Sequence, residues 1–287
     1  MDLQTLLQTM INQKASDLHV RAGGKAYIRV DGDLAAVGDQ DLSPQEVETM
    51  MGQVATARAK KIFAESSECD FSFQVGEIAR FRVNAFKRMG RLSMSIRIIP
   101  MSIPSIEDLR LPAATIKKIA ENERGLVLVT GITGSGKSTS LAAMIDYINT
   151  SRAVHILTVE DPIEFVHKDK MSIISQRQIG EDTFDFVQAL RMAMRQDPDV
   201  ILMGEMRDAE SVSAAITAAQ TGHLVFGTLH TIDAVQTVNR IIDLYPPHQQ
   251  GLMRIQLAES LKAVVSQRLL PCLKGGRIPA VEVMINT

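Results

Sequence analysis

Near the start of the chain, apolar residues recur at helical spacing. Leu3, Leu6, Leu7, Met10 and Ile11 occupy i, i+3, i+4, i+7 and i+8, which predicts an amphipathic helix. The period then falls to two. Leu18-His19-Val20 is followed by Gly23-Gly24, and Tyr27-Ile28-Arg29-Val30 by Asp31-Gly32, so both runs read as strands closed by tight turns. Ser43-Pro44-Gln45-Glu46 joins a capping box to a proline at the first helical position. Val47, Met50, Met51 and Val54 give the helix it opens a buried stripe. Three alternating runs come next: Phe71, Phe73, Val75; then Phe81, Val83, Ala85; then Leu92, Met94, Ile96, Ile98. Their polar partners predict meandering antiparallel strands with one solvated face. Arg80, Arg82 and Asn84 share that face of the second run, and Ser93, Ser95 and Arg97 that of the third.

Pro100-Met101-Ser102-Ile103-Pro104 suits a semi-rigid linker. Past it the pattern changes to short continuous apolar runs: Leu126–Val129, Ile156–Val159, Val200–Met203 and Leu224–Phe226. Such runs mark strands buried on both faces. Helical patterns separate them, one through Phe186, Leu190, Ala193 and Met194, another from Val212 to Ala219 closed by Gly222. Strand alternating with helix implies right-handed βαβ crossovers and a mostly parallel sheet. Gly275-Gly276, between Leu269-Leu270 and Ala280–Val283, predicts a late hairpin. The expected organisation is an N-terminal domain over residues 1–99, a linker over 100–111 and a second domain over 112–287.

Composition narrows function by exclusion. The chain has 287 residues, 45% of them hydrophobic, with 31 Lys plus Arg against 33 Asp plus Glu, a net charge of −2. That is a globular composition, and the charge balance argues against nucleic-acid binding through a basic surface. Trp is absent and Phe and Tyr number nine and three, so stacking platforms for single strands are unsupported. The two cysteines, Cys69 and Cys272, form no C-x-x-C pair and read as reduced thiols. No apolar run approaches the length of a membrane span, and the first twelve residues lack the basic start and apolar core of a signal peptide. The expected location is therefore cytoplasmic, with no direct membrane insertion.

One stretch carries specific chemistry. Gly131-Ile132-Thr133-Gly134-Ser135-Gly136-Lys137-Ser138 matches G-x-x-x-x-G-K-[ST] in full, after an apolar strand and before the helix of Leu141, Met144, Ile145 and Ile148. Glycines let successive backbone N–H groups turn inward around phosphate oxygens, and the following helix adds its positive end. Lys137 would reach the β- and γ-phosphates and Ser138 would offer its hydroxyl to Mg²⁺. The expected nucleotide cradle is Gly131, Thr133, Gly134, Ser135, Gly136, Lys137, Ser138 and Thr139, with ATP and Mg as ligands. A site of this kind needs a carboxylate at a neighbouring strand end. Thr158-Val159-Glu160-Asp161-Pro162-Ile163-Glu164 offers one cluster, and Val200 to Asp208 offers another, in which four apolar residues run into Gly204-Glu205. His223 and His230 flank one more strand; a lone His is usually a satisfied core or surface residue, and spacing alone does not separate that reading from a γ-phosphate sensor at His230.

Together these segments resemble the secretion-superfamily ATPases. Gly131–Ser138, Thr158–Glu164, Val200–Asp208 and Gly222–Thr231 (GHLVFGTLHT) resemble that family's Walker A, Asp, Walker B and His boxes. EDPIEFVH from Glu160, GEMRD from Gly204, ASDLH from Ala15 and RFRVNAF from Arg80 are similar to the branch that retracts type IV pili. The resemblance implies an α/β chain with a PAS-like N-terminal α+β domain followed by a RecA-like P-loop domain. It implies a homohexamer with ATP between subunits, acting on a pilus inner-membrane platform protein from the cytoplasmic side, peripheral to the membrane. By the same resemblance Glu205 is the Walker B acid, Glu164 stands near the attacking water or the metal shell, His230 senses phosphate, and Arg82 and Arg97 complete a neighbour's site. Ser138, Glu205 (directly or through water) and Glu160 are the expected Mg ligands. Assembly and secretion ATPases of the superfamily, which usually carry extra N-terminal domains and a tetracysteine zinc insert, remain an alternative, as does a weakly hydrolysing accessory ring. The two cysteines favour retraction over the first, and intact Lys137, Glu164 and Glu205 argue against a dead site. The helices that usually follow in this branch, opening with an AIRNLIRE-like motif, do not occur before Asn286-Thr287.

Overall fold

The computed structural model describes residues 2–76, 79–99, 101–272 and 276–287. The chain forms two compact units, Met1–Met101 and Ser102–Thr287. The first unit runs α1 (Leu3–Asn12), β1 (Asp17–Arg21), β2 (Gly24–Val30), β3 (Asp33–Leu42), α2 (Pro44–Val54), α3 (Ala57–Ser66), β4 (Glu68–Val75), β5 (Ala79–Arg88) and β6 (Arg91–Ile99). Its strands form one antiparallel sheet in the order β3-β2-β1-β6-β5-β4. The expected stripe of α1 is buried at Leu3, Leu6, Leu7 and Met10, and Asp2 caps the helix by accepting from Thr5 N at 2.8 Å. The capping box of α2 is present: Ser43 Oγ accepts from Glu46 N and the Glu46 carboxylate accepts from Ser43 N. Alternation then decides the core, because Leu18, Ile28, Phe81 and Ile96 point to the same side as Leu6, Met10 and Val47. Burying a side chain such as Phe81, fully enclosed here, contributes roughly 2–3 kcal/mol. The opposite face holds the arginines expected on a solvated surface. Ser93 departs from that expectation, since it lies on this polar face yet is 1% exposed.

The second unit runs α4 (Ala113–Ala120), β7 (Gly125–Thr130), α5 (Lys137–Ser151), β8 (His155–Glu160), β9 (Ile173–Gln178), α6 (Phe186–Ala193), β10 (Val200–Met203), α7 (Ala209–Gln220), β11 (Leu224–Leu229), α8 (Ala234–Asp243), α9 (Pro247–Ser260), β12 (Leu261–Pro271) and β13 (Arg277–Ile285). The sheet order is β13-β12-β7-β11-β10-β8-β9, with every pairing parallel except β12 with β13. This is the mixed α/β, mostly parallel sheet that the apolar runs predict. Of the expected late hairpin, β12 and β13 pair antiparallel from Ala263↔Ile285 to Pro271↔Arg277, while Gly275 lies outside the described residues. Pro100 of the expected linker also lies outside them. Within the rest of that linker, Ile106 and Leu111 are buried in the second unit's core beside Ile116, Val127 and Phe226. Two apolar anchors five residues apart fasten this stretch to the unit, so it is packed chain rather than a free spacer. Among the described residues no helix is long and apolar enough to cross a membrane.

Candidate active site

Parallel pairing sends β7, β8, β10 and β11 in one direction, so their carboxyl ends meet along one edge of the sheet. The register places Thr130 beside Leu229, Gly227 beside Met203, and Met203 beside Val159. The residues that follow these four ends are Gly131, Asp161, Gly204 and His230. Segments far apart in the chain therefore converge, as expected at the strand ends of an open α/β sheet. They surround a cavity of about 420 Å³ lined by Thr133, Gly134, Gly136, Lys137, Ser138 and Thr139 on one side. Glu160, Glu164, Glu205 and His230 line it on the other.

The phosphate loop is held from beneath. Gly136 caps α5 with φ +89°, and a Cβ there would stand 2.8 Å from Gln267 Nε2. Backbone conformation and space both require glycine. Gln267, on β12, is 2% exposed and bridges the loop to its helix. Its Nε2 donates to Ser135 O at 2.7 Å, and its Oε1 accepts from Ser140 Oγ at 2.8 Å. Lys137 Nζ donates to Gly131 O at 2.8 Å and to Ile132 O at 3.1 Å. Burial holds the Lys137 ammonium below its usual range, against the pull of Glu205 and Glu164. Two of the expected cradle residues do not line the cavity. Ser135 is buried behind the loop, and Gly131 serves through its carbonyl.

Glu205 is gripped from two sides. Arg207 Nη2 donates to Oε2 at 2.6 Å, and His230 Nε2 lies 3.1 Å from Oε1. The Arg207 hydrogen bond is the chief reason that the Glu205 carboxyl sits below the ordinary carboxylate range. The backbone around it is fixed as well: Gly204 N donates to Val159 O, Thr228 Oγ1 donates to Gly204 O, and Met206 N donates to Thr228 O. Glu160 is occupied differently. Its Oε1 accepts from Thr158 Oγ1 at 2.7 Å and Gln176 Nε2 at 3.2 Å, and its Oε2 accepts from Glu164 N at 3.4 Å. Burial pushes its carboxyl upward. These bonds tie Glu160, the third expected metal ligand, to the Asp161–Glu164 turn, where it lines the cavity. Arg82 and Arg97 belong to the first unit. Arg97 Nε donates to Asp17 Oδ1 at 2.7 Å, and Arg82 lies 3.9 Å from Asp70.

Sequence reasoning missed Arg207 and Gln267. The first lies inside the GEMRD segment, two residues past Glu205, where its spacing was a usable signal. The second sits on a strand with no motif, and only the pairing of β12 with β7 brings it to the loop. Among the described residues no group of three or more His, Cys, Asp or Glu side chains could hold a metal alone. Among the hard-oxygen donors lining the cavity are the Ser138 hydroxyl and the carboxylates of Glu205 and Glu164. That set suits Mg²⁺, which binds through one or two protein oxygens plus phosphates and water.

Known proteins resemble the chain along its whole length. The chain is 47% identical over all 287 residues to the type IV pilus retraction ATPase PilT of Pseudomonas aeruginosa, covering 83% of that protein. It is 49% identical over 282 residues, 98% of this chain and 75% of the relative, to a twitching motility protein of Neisseria gonorrhoeae. A crystal structure of the pilus retraction motor PilT with bound ADP superposes with a TM-score of 0.96 at 44% identity, covering all of this chain and 84% of that one. Residues 1–283 match the model of the type II/IV secretion system proteins, and the chain belongs to that family.

Proposed function

We propose that this chain is the ATP-hydrolysing subunit of a ring motor that powers type IV pilus retraction. The observation that carries this reading is the convergence of Lys137, Glu164, Glu205 and His230 on one cavity at the carboxyl edge of the sheet. The relatives named for pilus retraction and twitching motility supply the biological direction.

The chemistry follows from the side chains. N–H groups of the loop and the start of α5 would surround the β- and γ-phosphates of ATP. Lys137 would exchange the carbonyls of Gly131 and Ile132 for phosphate oxygens, a stronger charge-assisted pairing. Ser138 and Glu205 would hold Mg²⁺, which supplies neutralisation of phosphate charge. Glu205, ionised at neutral pH, would orient and polarise the attacking water, with His230 fixing one of its oxygens and Glu164 facing the same space. Arg82 and Arg97, in the PAS-like unit over residues 1–99, complete the site of a neighbouring subunit's RecA-like unit (112–287) in a homohexamer. Such arginines stabilise transition-state charge in phosphoryl transfer. The ring would pull on an inner-membrane platform protein from the cytoplasmic face.

The test is phosphate release from Mg·ATP by the purified chain over a range of concentrations, with particle size measured on the same samples. Turnover per subunit should rise as hexamers form, and Lys137→Ala should abolish it. Full specific activity in monomers would remove the shared-site mechanism, and wild-type turnover by Lys137→Ala would remove the loop assignment.

A further inference from the structure

The polar face of the first unit's sheet contains a built hollow. Across β2, β1 and β6 the register sets Tyr27, His19 and Ser95 in one row. One step along β1, Arg21 stands beside Ser93, which in turn faces Phe86 of β5. With Arg29 these residues line a cavity of about 330 Å³. Among the described residues, three polar atoms of its lining are buried without a hydrogen-bond partner: His19 Nε2, Arg21 Nε and Ser93 Oγ. Unmet buried polar atoms are uncommon and costly, and three of them around one hollow point to a ligand that meets them.

The side chains are held in place by other means. His19 Nδ1 lies 3.1 Å from Ser95 Oγ, and the Arg21 guanidinium stacks 4.9 Å above the Tyr27 ring. The nearby carboxylate, Asp17, is engaged by Arg97 through Oδ1 and by Ser16 through Oδ2. Arg21 and Arg29 therefore give the hollow a cationic wall, while Tyr27 and Phe86 give it flat apolar walls. The volume matches the lower end of small-molecule sites, about 300 Å³.

We propose that this hollow binds a small organic phosphate of mononucleotide size, its phosphate against Arg21, His19 and Ser93 and its flat body against the aromatic walls. Every residue that forms it belongs to the first unit, whereas the phosphate loop belongs to the second. Protonation follows from the surroundings of His19. Burial holds the imidazole below its usual range, Arg29, Arg21 and Arg97 reinforce this, and Asp17 opposes it. A bound phosphate adds opposing charge, so affinity should rise as the pH falls.

The test is calorimetric titration of the full chain carrying Lys137→Ala, which weakens the phosphate loop as a competing site, with adenosine monophosphate and with inorganic phosphate as probes. Adenosine monophosphate should bind saturably with Kd below about 1 mM. Adding Arg21→Gln or Ser93→Ala should weaken it about tenfold or more. Ser93→Ala should leave the melting temperature of the free chain unchanged or raise it, since it removes an unmet hydroxyl, so its loss of binding cannot be charged to misfolding. Absence of saturable binding, or binding indifferent to both substitutions, would overturn the site. Inorganic phosphate binding as tightly as adenosine monophosphate would overturn the organic part of the assignment.

Discussion

Replacing Gln267 by Met tests whether the strand beneath the phosphate loop holds the loop in its binding shape. Methionine keeps the length and bulk of the side chain while removing its donor and acceptor. Two groups lose a partner. The Ser135 carbonyl, which accepts from Gln267 Nε2 at 2.7 Å, is left unpaired behind the loop, at a cost of about 1–3 kcal/mol. The Ser140 hydroxyl can turn back to the carbonyl of Gly136 four residues earlier, so its loss stays below about 1 kcal/mol. The sum is about 1–4 kcal/mol of stability in the second unit. Free energy at the upper end of that range limits the loss of nucleotide affinity to just under about a thousandfold, and a loss near tenfold is expected. Urea unfolding followed by circular dichroism reads the first quantity, and equilibrium binding of a fluorescent ATP analogue reads the second. Ser140→Ala is the control and should cost less than about 1 kcal/mol. If Gln267→Met stays within about 0.5 kcal/mol of wild type and binds within about twofold, Gln267 does not support the loop and the reasoning fails.

Further outcomes are expected. Glu205→Gln should keep ATP binding but lose turnover by a factor on the order of 100 or more; single-turnover phosphate release at the wild-type rate would remove Glu205 from the chemistry. Arg82→Ala or Arg97→Ala should lower activity only in assembled rings. Mixing either with Lys137→Ala subunits should restore part of it, and no recovery in verified mixed rings would count against action between subunits. Asp17→Asn, which releases the carboxylate partner of Arg97, should reduce ring activity less than Arg97→Ala does; a larger loss would place the role in Asp17. Burial pushes His167 down to about 4, so the folded chain takes up this proton less readily than the unfolded one. The associated stability is complete above about pH 6.5, declines as the pH falls towards 4 and totals about 3 kcal/mol. His167→Asn should flatten that part of a urea-midpoint profile, and an unchanged slope would refute the assignment.

What could be read from the sequence depended on how strongly each segment's burial patterned its residues. β7, β8, β10 and β11 are buried on both faces, so they announce themselves as apolar runs. α3 buries Ala59 alone and β3 is exposed along nearly its whole length, so neither carries a periodic stripe, and both escape sequence analysis. The polar edge strand β9 escapes for the same reason. The phosphate loop is legible because its chemistry is local, eight consecutive residues doing one task. Gln267 and Arg21 are not legible. Their meaning comes from neighbours on adjacent strands, and pairing is a property of the sheet rather than of any short stretch of chain.

The two contacts on Glu205 carry a consequence for the order of events in the site. Each oxygen of this carboxylate already has a companion, Arg207 on one and His230 on the other. Each carboxylate oxygen keeps a further lone pair, so a metal ion arriving at Glu205 would compete with these companions for one negative charge without having to expel either. Its arrival would weaken the grip on the Arg207 guanidinium, and a loosened guanidinium would be free to turn towards the nearest anion, which during turnover is phosphate. Metal occupancy at Glu205 and freedom of Arg207 would then rise together.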